Sequence, residues 1–443
     1  MTFAITSTEL CTLLAAEVVG LSTLPEKIIG ITTDSRAITP GSLFVPLIGE
    51  RFDGHDYLEI ALANGAALVL SEKPVSVPHL RVADTLRAYQ QLGRWWRQQF
   101  TIPVVAVTGS AGKTTTRELI RAVLATAGSV LASTGNENND IGVPKLLLQL
   151  DKTHRFCVVE MGMRGPGEIA RLTQCALPNV GVITNVGSAH IGRLGGLQAI
   201  ADAKCELLAD LPIKGTAILN GEDERLLTTS ANVWSGSRLT FGLNTGDLRG
   251  RLEGDTLWVE GVSFPVLLPG RHNVLNFLAA LAVARSLDLE LSTISTQLNS
   301  VALPEGRSHF VQIAGLTLID ETYNSAPESA QAALDLLAQL PGTRRIAVLG
   351  QMRELGEFSA DAHHKVGERC AQLGLDQLFV LAGEDTDALA NAAKPIPVEI
   401  FLDQETLTQR LAQFAQPGDF VLFKASRAIG LERVLKAFQQ LLV

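Results

Sequence analysis

Val-Val-Ala-Val-Thr-Gly-Ser-Ala-Gly-Lys-Thr-Thr-Thr, residues 104–116, is an apolar β-type run that ends in a glycine-bounded loop and passes into a helix pattern. Backbone N–H groups can approach a phosphate chain only where no side chain intervenes. Gly109 and Gly112 permit this, and the helix start adds the positive end of a dipole. Ser110, Ala111 and Thr115 complete the loop and first turn. Lys113 is placed to reach the outer phosphates as a point charge, and Thr114 to hold Mg²⁺ through its hydroxyl. The stretch reads as a nucleoside triphosphate site. P-loops usually carry about four residues between their glycines, whereas only Ser110 and Ala111 lie between Gly109 and Gly112. That shortening argues against a signalling GTPase or a transport ATPase.

Outward from the loop, apolar strand runs recur at 156–159, 180–184 and 216–219, separated by helix-period segments. This alternation predicts βαβ units and a mainly parallel sheet, whose ligands collect beyond the carboxyl ends of the strands. Upstream, short strand-like runs at 28–32, 42–47 and 67–70 and a helical stretch at 57–64 predict a small α/β module over 1–84, followed by a helix at 85–99. Residues 234–268 switch to short alternating runs with glycines, which predicts a β-rich insertion, and a helix is expected over 274–285. After Pro304 strand runs restart at 316–320, 346–350, 378–382, 399–402 and 420–423, each followed by a helical stretch, so a second doubly wound domain is expected.

Bulk properties narrow the class. The 443 residues predict roughly three domains, and 46% hydrophobic content supplies their cores. A net charge of −9 argues against a nucleic-acid groove. Five scattered cysteines with no C-x-x-C pair suggest neither a disulfide framework nor a zinc knuckle, so a reducing cytoplasm is expected. The N-terminus lacks the pattern of a signal peptide, and apolar runs such as 278–284 are too short to span a bilayer.

Candidate chemistry gathers at strand ends. Glu160 closes the strand run 156–159 and reads either as a metal ligand or base or as a solvated strand-end carboxylate. His190 follows the next strand at the same edge, as a ligand or a structural histidine. Spacing alone makes Lys204 a helix-surface lysine beside Glu206. Asn273 and Asn276 read as helix caps or as amides offered to a purine or ribose. Asp320, Glu321, Tyr323 and Asn324 cluster at one C-terminal strand end, and Lys424, Ser426 and Arg427 at another, outlining an interdomain cleft or a solvated rim.

Taken together, this set resembles the Mur ligases of peptidoglycan synthesis, and among them the type that joins D-alanyl-D-alanine to UDP-N-acetylmuramoyl-tripeptide. The motifs that carry it are Thr-Asp-Ser-Arg at 33–36, the segment 41–57, the short phosphate loop, and Gly-Asn-Glu-Asn-Asn-Asp-Ile-Gly-Val-Pro at 135–144. Arg-His-Asn-Val-Leu-Asn at 271–276, Asp-Glu-Thr-Tyr-Asn-Ser-Ala-Pro at 320–327, 349–356 and Lys-Ala-Ser-Arg at 424–427 complete it. Glu321 and Gln351 stand where the commoner family pattern has aspartates.

The resemblance implies an α/β chain of three domains. These are a small N-terminal UDP-sugar-binding module (1–84), a central parallel-sheet P-loop ATP-binding domain (85–303) and a C-terminal doubly wound, Rossmann-like ligase domain (304–443). It further implies that ATP lies on residues 109–115 with Asn273, Arg307, Asp320 and Tyr323 as nucleotide contacts. Thr114 and Glu160 would bind one Mg²⁺, and His190 with a carbamylated Lys204 a second. Ser35 and Arg36 would meet the UDP end, Asn138 and Asn139 the UDP-linked substrate, and Lys424, Ser426 and Arg427 would be further substrate contacts. Lys113, Glu160, His190 and Lys204 would be catalytic. Implied too are a cytoplasmic monomer, no nucleic-acid partner and no membrane span. The competing readings are a sister ligase, folylpolyglutamate synthase, and a P-loop nucleotide switch.

Overall fold

Four sheets organise residues 3–298 and 300–442, which the computed structural model describes. The N-terminal sheet runs Glu17–Val19, His79–Arg81, Leu68–Ser71, Leu43–Phe44, Ile31–Thr32; only its first pairing is antiparallel. A small two-stranded sheet joins Ile5–Thr6 to Lys27–Ile28. Between them lies a helix absent from the sequence reading, Ser7–Leu14. Thr6 Oγ1 accepts from Glu9 N–H and the Glu9 carboxylate accepts from Thr6 N–H, a reciprocal cap that satisfies two otherwise orphaned donors.

The central sheet has nine strands in the order Val262–Pro265, Thr256–Val259, Leu248–Glu253, Ser237–Gly242, Thr216–Asn220, Val180–Ile183, Val104–Thr108, Phe156–Glu160, Val130–Ala132. The expected insertion at 234–268 is therefore corrected. Ser237–Gly242 pairs in parallel with Thr216–Asn220, and the following strands continue the same sheet, ending in two antiparallel pairings. Its short, glycine-broken runs resemble a separate β module because edge strands need not carry the long apolar stretches of a doubly covered centre.

At the centre, successive side chains divide between two cores. Val105, Val107, Val158, Val182 and Ile218 pack with helices Lys113–Ala125 and Arg271–Ser286. Val104, Ala106, Cys157, Val159 and Ile183 pack toward helices Thr85–Arg97, Glu168–Ala176 and Leu197–Ala209. Val104–Thr108 sits between Phe156–Glu160 and Val180–Ile183, all parallel, so their carboxyl ends open side by side. This is where chain order reverses across the sheet, the crevice such folds use for ligands.

The C-terminal sheet runs His309–Ile313, Leu316–Asp320, Asp419–Lys424, Arg344–Leu349, Gln377–Leu381, Val398–Phe401. Five strands are parallel, as expected; the sequence reading lacked the antiparallel edge strand His309–Ile313. Among the described residues no helix is long and apolar enough to cross a membrane.

Trp96 pins the N-terminal end of the chain to the central layer. It is 1% exposed, its ring lies 5.1 Å from that of Phe3 and 5.3 Å from that of Phe100, and its indole N–H donates to Leu150 O at 3.0 Å. Trp96→Ala leaves a cavity and an unpaired carbonyl, so a loss of about 3–5 kcal/mol is expected, read as a lower urea midpoint.

Candidate active site

The loop after Val104–Thr108 is held open by its neighbours. A Cβ on Gly109 would overlap the Thr184 hydroxyl, and one on Gly112, whose φ is +78°, would lie 2.6 Å from Asn276 Oδ1. Thr184 Oγ1 donates to Ala111 O at 2.6 Å, and Ala111 N–H donates to Asn185 Oδ1 at 2.9 Å. Ser110 Oγ donates to Gly187 O at 2.9 Å. The loop backbone is thus fixed by its neighbours, with the N–H groups of Ser110 and Ala111 both held by Asn185. Lys113 Nζ turns back onto Gly109 O at 2.8 Å. Burial lowers its pKa, Glu160 opposes that, and Arg307 adds to it. Lys113 is therefore within electrostatic reach of both.

Glu160 is 2% exposed, so it is not a solvated strand end. Its carboxylate accepts from Thr114 Oγ1 at 2.9 Å, Arg117 Nη1 at 3.0 Å and Asn138 Nδ2 at 2.8 Å. Arg117 was absent from the sequence reading. It is 1% exposed and also donates to Gly135 O and to Glu118 at 2.5 Å. The signal was available: Arg117 stands one turn beyond Lys113, on the helix face that looks back at the loop. Asn138 therefore meets Glu160. Asn139 Oδ1 accepts from Gly142 N–H at 2.9 Å at the start of helix Gly142–Leu147.

Lys204 corrects the surface reading. It lies on helix Leu197–Ala209 at 2% exposure, because that helix is covered on the side facing the sheet. Burial drives its pKa well below the ordinary lysine value, with Lys113 adding to the effect, and among the described residues it has no carboxylate partner. His190 has a left-handed backbone, φ +67°, and its pKa is lowered by burial against the opposing pull of Glu354; Lys113 and Lys204 lower it further. Lys113 is thus coupled electrostatically to Glu160, His190 and Lys204, residues far apart along the chain. Among the described residues no three His, Cys, Asp or Glu side chains group as a metal site.

Neither asparagine of the next helix caps it. Gly270 holds the cap position of Arg271–Ser286, while Asn273 and Asn276 are buried. Asn276 Oδ1 accepts from Thr116 Oγ1 at 3.2 Å, and Asn273 Nδ2 donates to Pro269 O at 2.8 Å and to Ser308 Oγ at 3.2 Å.

Across that contact the C-terminal residues converge. Arg307 lies 3.9 Å over the Tyr323 ring and Arg427 5.8 Å from its centre. Asp320 is bound locally, accepting from Thr322 N–H and Oγ1 at 3.0 and 2.6 Å. Lys424 Nζ donates to Asn324 O at 3.0 Å and faces Glu321 at 3.4 Å. Burial would raise Glu321, but Lys424, His272 and two bonds from Ser308 hold it below its usual value. Ser426 Oγ accepts from Arg353 N–H at 2.8 Å.

Ser35 and Arg36 stand apart from this group. Arg36 is exposed and forks onto Asp34 at 2.9 and 2.8 Å, holding that carboxyl down at about 2, and Asn64 Nδ2 donates to Ser35 O at 3.1 Å.

Fold and site define a P-loop nucleotide-binding protein of the α/β class in which a buried lysine and a half-buried histidine accompany the phosphate loop. Residues 27–122 match the Mur ligase family catalytic domain, 107–284 the Mur ligase middle domain and 306–427 the Mur ligase glutamate ligase domain. UDP-N-acetylmuramoyl-tripeptide–D-alanyl-D-alanine ligase of Synechocystis is 48% identical over 92% of this chain and 91% of its own; that of Escherichia coli is 36% identical over 93% of each. The crystal structure of MurF from Acinetobacter baumannii superposes with a TM-score of 0.90 at 32% identity over 99% of both chains. MurF ligase from Thermotoga maritima in complex with ADP gives 0.85 at 32% over 93% of this chain and 97% of that one. The chain belongs to the Mur ligase family.

Arg117→Met leaves Glu160 buried without its cation. A loss of about 3–5 kcal/mol is expected in urea unfolding, with partial recovery when Glu160→Gln is added, because the uncompensated charge is then gone.

Proposed function

We infer that the chain is an ATP-dependent ligase that joins D-alanyl-D-alanine to UDP-N-acetylmuramoyl-tripeptide, giving ADP, phosphate and the pentapeptide. One observation carries the reading: a full-length likeness to ligases of that name, at up to 48% identity among the relatives described above, coincides with an intact phosphate loop backed by a buried Glu160.

The substrate carboxylate attacks the γ-phosphate of ATP, ADP leaves, and the amine of the dipeptide displaces phosphate from the acyl phosphate so formed. Two like charges about 4 Å apart repel by roughly 4 kcal/mol at an effective dielectric of 20. Mg²⁺, when bound, supplies the neutralising charge. Thr114 and Glu160, already 2.9 Å apart, fit one ion. The donors around His190 fit a second only if Lys204 changes character, since a protonated amine repels a cation. Burial shifts the Lys204 amine toward its uncharged form, the form that adds CO₂, with loss of a proton, to give a carbamate. Lys113 moves from Gly109 O to the outer phosphates. Orienting the reactants contributes up to roughly 7–11 kcal/mol, which favours a site closed by the C-terminal domain.

The reading includes Asn273, Arg307, Asp320 and Tyr323 toward the nucleotide, Ser35 and Arg36 toward the UDP end, and Asn138 and Asn139 toward the linked sugar peptide. Lys424, Ser426 and Arg427 are assigned to the acceptor side. It also includes domain limits after residues 84 and 303, with one of the three large sheets inside each segment. A monomer acting in the cytoplasm without nucleic acid is proposed; the free cysteines support the cytoplasm, and the net charge of −9 supports the lack of a nucleic-acid partner.

Phosphate release should require ATP, UDP-N-acetylmuramoyl-tripeptide and D-alanyl-D-alanine together; release with ATP and only one of the other two overturns the reading. Lys204→Met should abolish turnover yet raise the stability of metal-free, CO₂-depleted protein. Because the folded pKa of Lys204 is depressed, the unfolded chain binds an extra proton below its own value of about 10.4, so stability falls as pH drops toward the folded value. The variant should flatten that slope in urea titrations at several pH values.

A further inference from the structure

Besides the Asn273–Ser308 contact, the central and C-terminal domains meet around residues 188–193. Glu354, at the end of the segment that follows strand Arg344–Leu349, carries a left-handed backbone with φ +65°. Its carboxylate lies between two side chains of the central domain: Oε2 is 2.5 Å from His190 Nδ1, and Oε1 is 3.2 Å from Arg193 Nη2. The angle at Nδ1 falls outside hydrogen-bond geometry, so Nδ1 is close to the carboxylate but makes no hydrogen bond with the described residues. Gly192 N–H donates to Glu354 O at 3.1 Å, and a Cβ on Gly192 would lie 2.5 Å from Gly356 N, so the two backbones touch where only glycine fits. Nearby, Glu328 accepts from Ser188 N–H and Oγ at 2.8 and 3.0 Å. His190 Nε2 makes no hydrogen bond with the described residues. An imidazole that ligates a metal through one nitrogen commonly gives its other N–H to a carboxylate, which sets the tautomer and the ring plane.

We propose that Glu354 is a positioning residue for the metal centre, reaching across the domain boundary to hold His190 Nδ1–H so that Nε2 faces the second ion. Arg193 anchors the other carboxylate oxygen and keeps it from swinging away. The docked C-terminal domain therefore completes the metal site from behind its histidine. This rests on the assignment of His190 as a ligand.

The test is Mn²⁺ binding to the full chain with ADP, followed by electron paramagnetic resonance, for wild type, Glu354→Ala, Glu354→Gln and His190→Ala. His190→Ala should remove one class of bound Mn²⁺; if it does not, the ligand assignment itself fails. Glu354→Ala should weaken that same class about 10–100-fold, with small-angle scattering unchanged. Glu354→Gln, whose amide oxygen can still accept from Nδ1–H, should recover part of the affinity. Glu354→Ala affinity within twofold of wild type, while His190→Ala loses the site, overturns the proposal. So does a weakening that comes with an expanded scattering profile, because domain opening would then explain it.

Discussion

The arrangement depends on one buried carboxylate. Glu160 is removed from water at the end of a doubly covered parallel strand, and an ionised group there persists only if it is paired and its lone pairs are used. Thr114, Arg117 and Asn138 meet that demand from the phosphate-loop helix and from the 135–144 loop. The partners come from two pieces of chain, the helix Lys113–Ala125 and the 135–144 loop, so satisfying the charge also fixes where those pieces sit. The loop itself is tied from the opposite side by Thr184, Asn185 and Gly187. It thus hangs between two anchored strand ends.

A second constraint governs the C-terminal side. Ser308, with φ +45°, is held by Glu321 and by Asn273 of the central domain, directly beside the Arg307–Tyr323 stack. Glu328 and Glu354 grip residues 188–193 from the same domain. Both contacts use polar or charged groups rather than a broad apolar face. Such interfaces separate at modest cost and re-form in one register, which suits a ligase that must admit three substrates and then exclude water.

The legible part of the fold was its parallel core. Strands such as Phe156–Glu160 and Asp419–Lys424 are continuous apolar runs because both faces are covered, and that pattern survives in one dimension. The helix Ser7–Leu14 and the edge strand His309–Ile313 were missed. One is short, and the other is a partly exposed strand whose pairing partner defines it more than its own letters do. In the site, Gly109 to Thr115 and Glu160 were readable since glycine spacing and a strand-end carboxylate have local physical meanings. Lys204 was misread because helix spacing beside Glu206 says nothing of which face a neighbouring sheet will cover. Arg117 was overlooked because a lone arginine in a helix resembles a solvated one.

By itself the sequence determined that a phosphate-binding loop joins a strand to a helix within a parallel α/β frame, since backbone sterics and hydrophobic period act over a few residues. Only the tertiary structure decided that Arg117 and Lys204 are buried, that Asn273 and Asn276 face inward instead of capping, and that Glu354 meets His190. Burial and charge pairing are properties of what lies across the gap, and the partners across these gaps come from strands and loops up to 164 positions away.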